Sequence, residues 1–240
     1  MSGSRLEDLT TDEVDAADRP VLLIPLGATE QHGPHLPLDT DTVVAAAWAE
    51  AVAARLPGAV VGPALPYGSS GEHQGFAGTL SIGQAALRLV LVELARSARN
   101  DFDRIVFLSG HAGNAEPVRA AVAQLRDEGH DARSLFPTWS GELMARLDAH
   151  AGYTETSLLL HLDPDRVRLP LAEPGATEPL SELLSTMRRD GVVGVSANGV
   201  LGDPTDADAG HGRALFEDLV DRTVAALAAL DRPGNRPSAG

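Results

Sequence analysis

The sequence predicts an α/β protein built on a largely parallel sheet. Two continuous apolar runs, VLLIPLG at 21–27 and RIVFLS at 104–109, have the length and side chains of strands buried on both faces. Ala- and Leu-rich stretches with helical spacing separate them, and strands alternating with helices favour parallel pairing. The 240 residues suffice for one such domain with a full core, and no repeat or long linker divides the chain. We therefore expect a single domain over 1–231 and a Pro/Gly/Ser-rich, disordered tail at 232–240.

The elements follow in order. After the strand at 21–27, residues 28–40 form a polar loop, and 41–56 form an Ala-rich helix capped by Asp39 or Thr40. A short strand at 59–62 leads into a Gly-rich loop over 63–80, long enough to suggest a functional role. Ser81-Ile82-Gly83-Gln84 has the spacing of a capping box and opens a helix to 98. Beyond the strand at 104–109, Asn114 caps a helix that tolerates Pro117 in its first turn and stops at Gly129. A weaker strand is expected at 131–136, a helix at 139–147, and another capped by Thr154 and stopped by Pro164. Residues 163–205 are irregular apart from a helix near 181–190, and a last amphipathic helix covers 207–230.

Composition excludes several functions. The net charge is −15, and all 19 basic residues are Arg, with no basic stripe. That argues against nucleic acid and anionic membrane as partners. Without Lys there is no Schiff-base or Walker-lysine chemistry, and without Cys no disulfide, thiolate site or thiol nucleophile. The acidic N-terminus lacks the pattern of a signal peptide and no apolar stretch spans a bilayer, so a soluble, cytoplasmic protein is expected.

The chemistry-bearing residues gather where such sheets bind ligands, at the carboxyl ends of strands. Glu30-Gln31-His32-Gly33-Pro34-His35, with Asp39 and Asp41, follows the first run, and His111 follows the RIVFLS strand. His150-Ala151-Gly152-Tyr153-Thr154-Glu155 opens a later helix. Imidazole and carboxylate are the ligands of hydrolytic Zn, Mn and Fe(II) sites. Taken singly, Glu30 or Asp41 reads equally well as a loop or helix-start carboxylate; their coincidence with His32 and His111 at strand ends argues for a metal site. Glu30, His32, Asp41, His111 and Glu155 exceed the roughly three protein ligands of one open catalytic metal. Two divalent metal ions about 3.5–4 Å apart, sharing one carboxylate, fit the count better, and a bridging hydroxide would be the nucleophile at neutral pH. His150 is left as the acid/base beside the leaving amine, and Glu155 is a candidate for either role. His35 is expected to orient a ligand or face substrate, Asp39 to cap a helix or hold a ligand imidazole, His73 to line a pocket, and GSSG at 68–71 to form a flexible lid. Ser157 lacks the Gly-x-Ser-x-Gly elbow of a serine hydrolase.

Gly27-Ala28-Thr29-Glu30-Gln31-His32-Gly33-Pro34-His35-Leu36-Pro37 with Asp41, then Gly110-His111 with Asn114, then Asp148-Ala149-His150-Ala151-Gly152 with Glu155-Thr156-Ser157, resemble the creatininase family of metal-dependent amidohydrolases. The resemblance runs over about residues 20–228. It implies a three-layer α/β/α sandwich, a two-metal centre (zinc, iron(II) or manganese), hydrolysis of C–N bonds and a homohexamer. It puts Glu30, His32, Asp41 and His111 at ligand positions, Asp41 as the bridge, and His150 as the acid/base. One position departs: creatininases proper carry Glu two residues after the histidine matching His111, where this chain has Gly113, and Glu155 is the candidate to supply the missing carboxylate. GEHQGFAGTLSIG at 71–83 and VSANGVLGDPT at 195–205 resemble the mycofactocin-system branch of the family. That branch implies a peptidase releasing the modified C-terminal Val-Tyr dipeptide from a precursor peptide. The segment 198–204, Asn-Gly-Val-Leu-Gly-Asp-Pro, is expected to close over the metals and form part of the substrate pocket, with Asn198 the position that tests it. The alternative is hydrolysis of a creatinine-like lactam or a formamide.

Overall fold

The computed structural model describes residues 3–17 and 20–230; the expected tail lies outside the described residues. Five parallel strands, β1 (Ser4–Arg5), β2 (Val21–Leu26), β3 (Ala59–Val61), β4 (Arg104–Ser109) and β5 (Ala132–Leu135), form one sheet in the order β1-β3-β2-β4-β5. The two long apolar runs lie side by side at its centre, Val21 opposite Arg104 through Leu26 opposite Ser109.

Their continuous hydrophobicity follows from burial on both faces. Leu22, Ile24 and Leu26 of β2, with Ile105 and Phe107 of β4, pack beneath helices α3 (Gly83–Ala98) and α4 (Ala115–Asp127) through Leu87, Leu91, Val118 and Ala121. The intervening Leu23, Val106 and Leu108 meet Trp48 and Val52 of α2 (Thr40–Arg55) and Leu219 and Val220 of α7 (Ala209–Leu230). The result is the expected three-layer α/β/α sandwich. Helix α5 (Tyr153–Leu162) packs on α7 and α2, and α6 (Leu180–Asp190) sits over the Gly-rich loop. No helix among the described residues is long and apolar enough to cross a membrane.

The order of strands positions the site. From β2 the chain crosses through α2 to β3 on one side, then through α3 to β4 on the other. Strand order therefore reverses between β2 and β4, and the crevice at their carboxyl ends is the topological switch point where open α/β sheets bind ligands.

Some local expectations fail for identifiable reasons. The two-residue β1 has no periodicity to detect, and the short helix α1 (Thr11–Asp15) went unanticipated although Thr10 and Glu13 form a true capping box before it. The box expected at Ser81–Gln84 does not form. The Ser81 hydroxyl instead accepts the Ser70 and Gly83 amides and so ties the Gly-rich loop to the start of α3. The helix expected at 139–147 is a 3-10 segment, Gly141–Arg146, preceded by Trp139, whose indole donates to the Leu215 carbonyl.

Trp48 is fully buried against the sheet, and its indole N–H donates to Thr223 Oγ1 at 3.0 Å. Trp48→Ala is expected to destabilise the fold by about 3–5 kcal/mol in urea denaturation. A loss below about 1 kcal/mol would show that the α2–α7 layer re-collapses around the gap.

Candidate metal centre

The site begins with two glycines. A Cβ on Gly27, just after β2, would lie 2.5 Å from Thr42 Cα, and one on Gly110, just after β4, 2.5 Å from the Asp41 carbonyl oxygen. Only glycine lets the first turn of α2 settle onto both strand ends and bury Asp41 there. Asn114, expected as a helix cap, braces the same junction. Its Nδ2 donates to the Gly27 carbonyl (3.0 Å) and its Oδ1 accepts from the Ser69 amide (2.8 Å), with no capping bond to α4.

Glu30, His32, Asp41 and His111 converge in this crevice, all buried. The His32 Nδ1–H donates to the Glu30 carbonyl (3.1 Å), which leaves Nε2 facing Asp41 Oδ1 at 3.2 Å and Glu155 Oε2 at 3.8 Å. His111 lies on the other side, Nδ1 3.4 Å from Asp41 Oδ2 and Nε2 3.3 Å from Glu30 Oε2. Each Asp41 oxygen thus faces a different imidazole, the arrangement a bridging carboxylate needs. Among the described residues, three overlapping groups have ligand atoms within 4.8 Å of one another: Glu30, Asp41 and His111; His32, His150 and Glu155; and Glu30, His73 and His150.

The residues fit a metal. Both carboxylate oxygens of Glu30 and Oδ2 of Asp41 are buried with no hydrogen-bond partner. Isolated buried carboxylates are strongly unfavourable, and a divalent cation is the partner this donor set suits. Protons compete with a cation for these groups. Burial pushes Glu30 up to about 8 against the pull of His111, and burial pushes Glu155 up to about 7. Burial alone would depress His32, but Asp41, Glu155 and Glu30 outweigh it and lift it to about 10.

His150 and Glu155 arrive through a constrained turn. Ala151 adopts φ 51°, unusual for a residue with a Cβ, and its N–H donates to Glu155 Oε2 at 2.6 Å. The Asp148 carboxylate accepts from the Tyr153 and Thr154 amides, so Asp148 rather than the expected Thr154 caps α5. The His150 Nε2–H donates to the Gln31 carbonyl (2.8 Å), leaving the Nδ1 lone pair facing Glu30 Oε1 (3.7 Å) and Glu155 Oε2 (3.9 Å). Burial, with His32 and His73 close by, holds His150 well below the usual imidazole range and therefore neutral.

Other expected residues fall differently. His35 is fully buried and bonds Thr156 Oγ1 at 2.8 Å, so it braces α5 and does not face substrate. Asp39 makes no capping bond and pairs with Arg166 at 2.5 Å rather than with an imidazole. Ser69 and Ser70 are buried and tied to Asn114 and Ser81, so the GSSG segment is a fixed wall and not a lid. Asn198 bonds Ser196, the Val200 amide and the Pro174 carbonyl, shaping its own turn; from that segment it is Leu201, bridged to His150, that lines the cavity. Ser157 is buried and accepts the Asp208 amide. His73 is closer to the centre than its sequence context suggests: its Nδ1 accepts from Gln31 Nε2 (2.9 Å), and its Nε2 lies 3.4 Å from Glu30 Oε1. Glu155 joins the cluster on the His32 side. The space beside Gly113 holds Glu72, for which the sequence offered no signal beyond its place in the Gly-rich loop.

Residues 7–227 match the family model described as creatininase, creatinine amidohydrolase. The chain belongs to the creatininase family. A mycofactocin precursor peptide peptidase of Mycobacterium ulcerans is 53% identical over 217 residues, covering 87% of this chain and 85% of that protein. A creatinine amidohydrolase of Pseudomonas putida is 33% identical over 205 residues, covering 72% of this chain and 77% of that protein. A solved mutant creatininase of Zn–Zn type superimposes with a TM-score of 0.83 at 28% identity, covering 97% of this chain and all of that one. A manganese creatininase gives a TM-score of 0.81 at 28% identity, covering 95% of this chain and 98% of that one. As a creatininase-family member the protein is a hydrolase acting on C–N bonds, and its solved relatives include zinc and manganese enzymes.

A pH dependence follows. A group whose pKa is raised in the metal-free site holds a proton below that value, and a metal must displace it. With Glu155 near 7, Glu30 near 8 and His32 near 10, apparent affinity for Mn²⁺ should rise steadily from pH 5.5 to 7.5, with protons released on binding. Titration calorimetry in buffers of different ionisation enthalpy measures this; an affinity flat across that range would contradict it.

Proposed function

We propose that this protein is a metal-dependent peptidase that cuts a modified mycofactocin precursor peptide and releases its C-terminal Val-Tyr-derived dipeptide. Four relatives bearing the name mycofactocin precursor peptide peptidase, at 50–53% identity, support the substrate. The observation that carries the chemistry is Asp41, whose two oxygens face His32 and His111 separately. Glu30, Asp41 and His111 would hold one divalent ion, and His32, Asp41 and Glu155 the other. When bound, such a pair supplies Lewis-acid polarisation of the scissile carbonyl and a water nucleophile at neutral pH. Zinc, iron(II) and manganese all suit these ligands.

The protein's own residues account for the remaining steps. His150 is neutral with its Nδ1 lone pair turned inward, so it can take a proton from the attacking water and return it to the departing amide nitrogen. Its backing by the Gln31 carbonyl fixes the tautomer and keeps that lone pair aimed. A cavity of about 430 Å³ opens over these groups. Phe136, Trp139, Leu180, Leu184 and Met187 form its apolar side, large enough for the valine and tyrosine side chains. Leu180 and Leu184 of α6 are exposed, as a binding wall would be. Asp41, Glu72, Asp148 and Glu155 also line the cavity and no Arg does among the described residues, so an acidic peptide segment is disfavoured there. Assembly into a homo-oligomer is part of the same reading.

The test is mass-spectrometric turnover of the enzymatically modified precursor peptide by metal-reconstituted protein. Release of a C-terminal dipeptide fragment is expected. Chelation and His111→Ala should each abolish it, and His150→Asn should lower kcat by about 10²–10⁴-fold with metal content unchanged. Metal-loaded protein that leaves the peptide intact and opens creatinine would instead establish the lactam reading.

A further inference from the structure

Gly113 lies two residues beyond His111, and its missing side chain leaves a gap at the mouth of the crevice. A Cβ there would fall 2.3 Å from Glu72 Oε1, 2.3 Å from His111 Nε2 and 2.6 Å from the Ser69 carbonyl. The space is therefore taken up by His111 Nε2, the Ser69 carbonyl and Glu72 Oε1, the last a carboxylate oxygen delivered from a different part of the chain. Glu72 belongs to the 3-10 turn Gly71–His73 of the Gly-rich loop, not to the strand-end loop that carries His111. Its Oε1 stands 3.6 Å from His111 Nε2, the nitrogen that Glu30 Oε2 approaches at 3.3 Å. Among the described residues His111 is the one ionic partner of Glu72, so no competing cation holds its carboxylate elsewhere.

The neighbourhood itself asks for a ligand. Glu30 is completely buried with both oxygens unpartnered, and Asp41 Oδ2 is likewise bare. Three carboxylates directed at one imidazole exceed the single positive charge that a protonated His111 can carry, so a further cation among them is favoured. Glu72 also keeps about a third of its side chain exposed and lines the cavity, so it can reach the centre from the open side.

We propose that Glu72 is a metal ligand of this centre at its His111 end, supplied by the Gly-rich loop through the space that Gly113 leaves open. The inference rests on the two-metal reading above but adds a residue and a consequence. The Glu72 turn is packed against the segment after α6: a Cβ on Gly191 would lie 2.8 Å from the Glu72 carbonyl, and one on Gly75 2.8 Å from Val193. Helix α6 carries Leu180, Leu184 and Met187 of the apolar cavity wall. Ligation by Glu72 would therefore couple metal binding to the order of the wall that receives substrate.

The experiment is equilibrium binding of Mn²⁺ and Co²⁺ to the metal-free full-length protein and to Glu72→Gln. Stoichiometry is read by elemental analysis and coordination by the Co²⁺ visible spectrum. Wild type should bind two ions. Glu72→Gln should keep one at near-native affinity, weaken the other by at least about tenfold, and change the cobalt spectrum. Glu72→Asp should fall between. Hydrogen exchange is the second measurement: metal should protect amides at 69–76 in wild type and much less in Glu72→Gln. Equal melting temperatures of the metal-free proteins would confirm that the variant is folded. Two ions bound by Glu72→Gln with unchanged affinities and spectrum would overturn the role of Glu72 and leave the two-metal reading intact. No metal bound by wild type would overturn both.

Discussion

Everything in this molecule is arranged around one electrostatic demand: Glu30, Asp41 and Glu155 crowd together where water is largely excluded. Carboxylates in such a place cannot all ionise unless positive charge is supplied. His32 and His111 provide some of it, since Asp41 holds His32 in its charged form and Glu30 and Asp41 raise His111. The remaining demand, written in the unpartnered oxygens of Glu30 and Asp41, is for a cation. Fold, loop placement and local strain can be understood as the means of assembling this cluster.

The scaffold meets the demand by backbone proximity. Glycine at 27 and 110 lets the start of α2 sit on the ends of both central strands, so a helix residue, Asp41, lies between loop residues from two strands. Asn114 and the Ser69 amide lock that junction from the side. The turn at Ala151 is more costly, a left-handed residue with a Cβ, roughly 1–2 kcal/mol. The Ala151–Glu155 and Asp148–α5 hydrogen bonds over-determine it, and in return His150 and Glu155 face the same space.

The surroundings divide labour by polarity. The cavity is lined by titratable groups, with His150 kept neutral by burial and by its imidazole neighbours. It is also lined by aliphatic and aromatic side chains contributed largely by α6 and the segment after β5. A site of this kind can hold an uncharged, apolar group by its side chains while the amide is presented to the polar floor. Family membership makes the protein a hydrolase of C–N bonds, and relatives at 50–53% identity bear the name mycofactocin precursor peptide peptidase.

The sequence by itself determined the layered α/β fold, because strands buried on both faces must be continuously apolar, and β2 and β4 are. It also determined the neighbourhood of the site, since Glu30, His32 and His111 follow strands directly and strand ends at a switch point are adjacent whatever lies between. It could not place residues whose roles depend on approach between distant segments. Asp148 capping α5, Asn114 bridging strand ends, His35 bracing Thr156 and Asn198 folding back on its own turn all have ordinary sequence contexts. Only tertiary structure brought Glu72 into the gap at Gly113 and His73 beside Glu30, because the Gly-rich loop has no periodicity to reveal where it docks. A local pattern encodes which face of an element is buried; which carboxylate meets which imidazole is fixed by the packing of elements far apart in the chain.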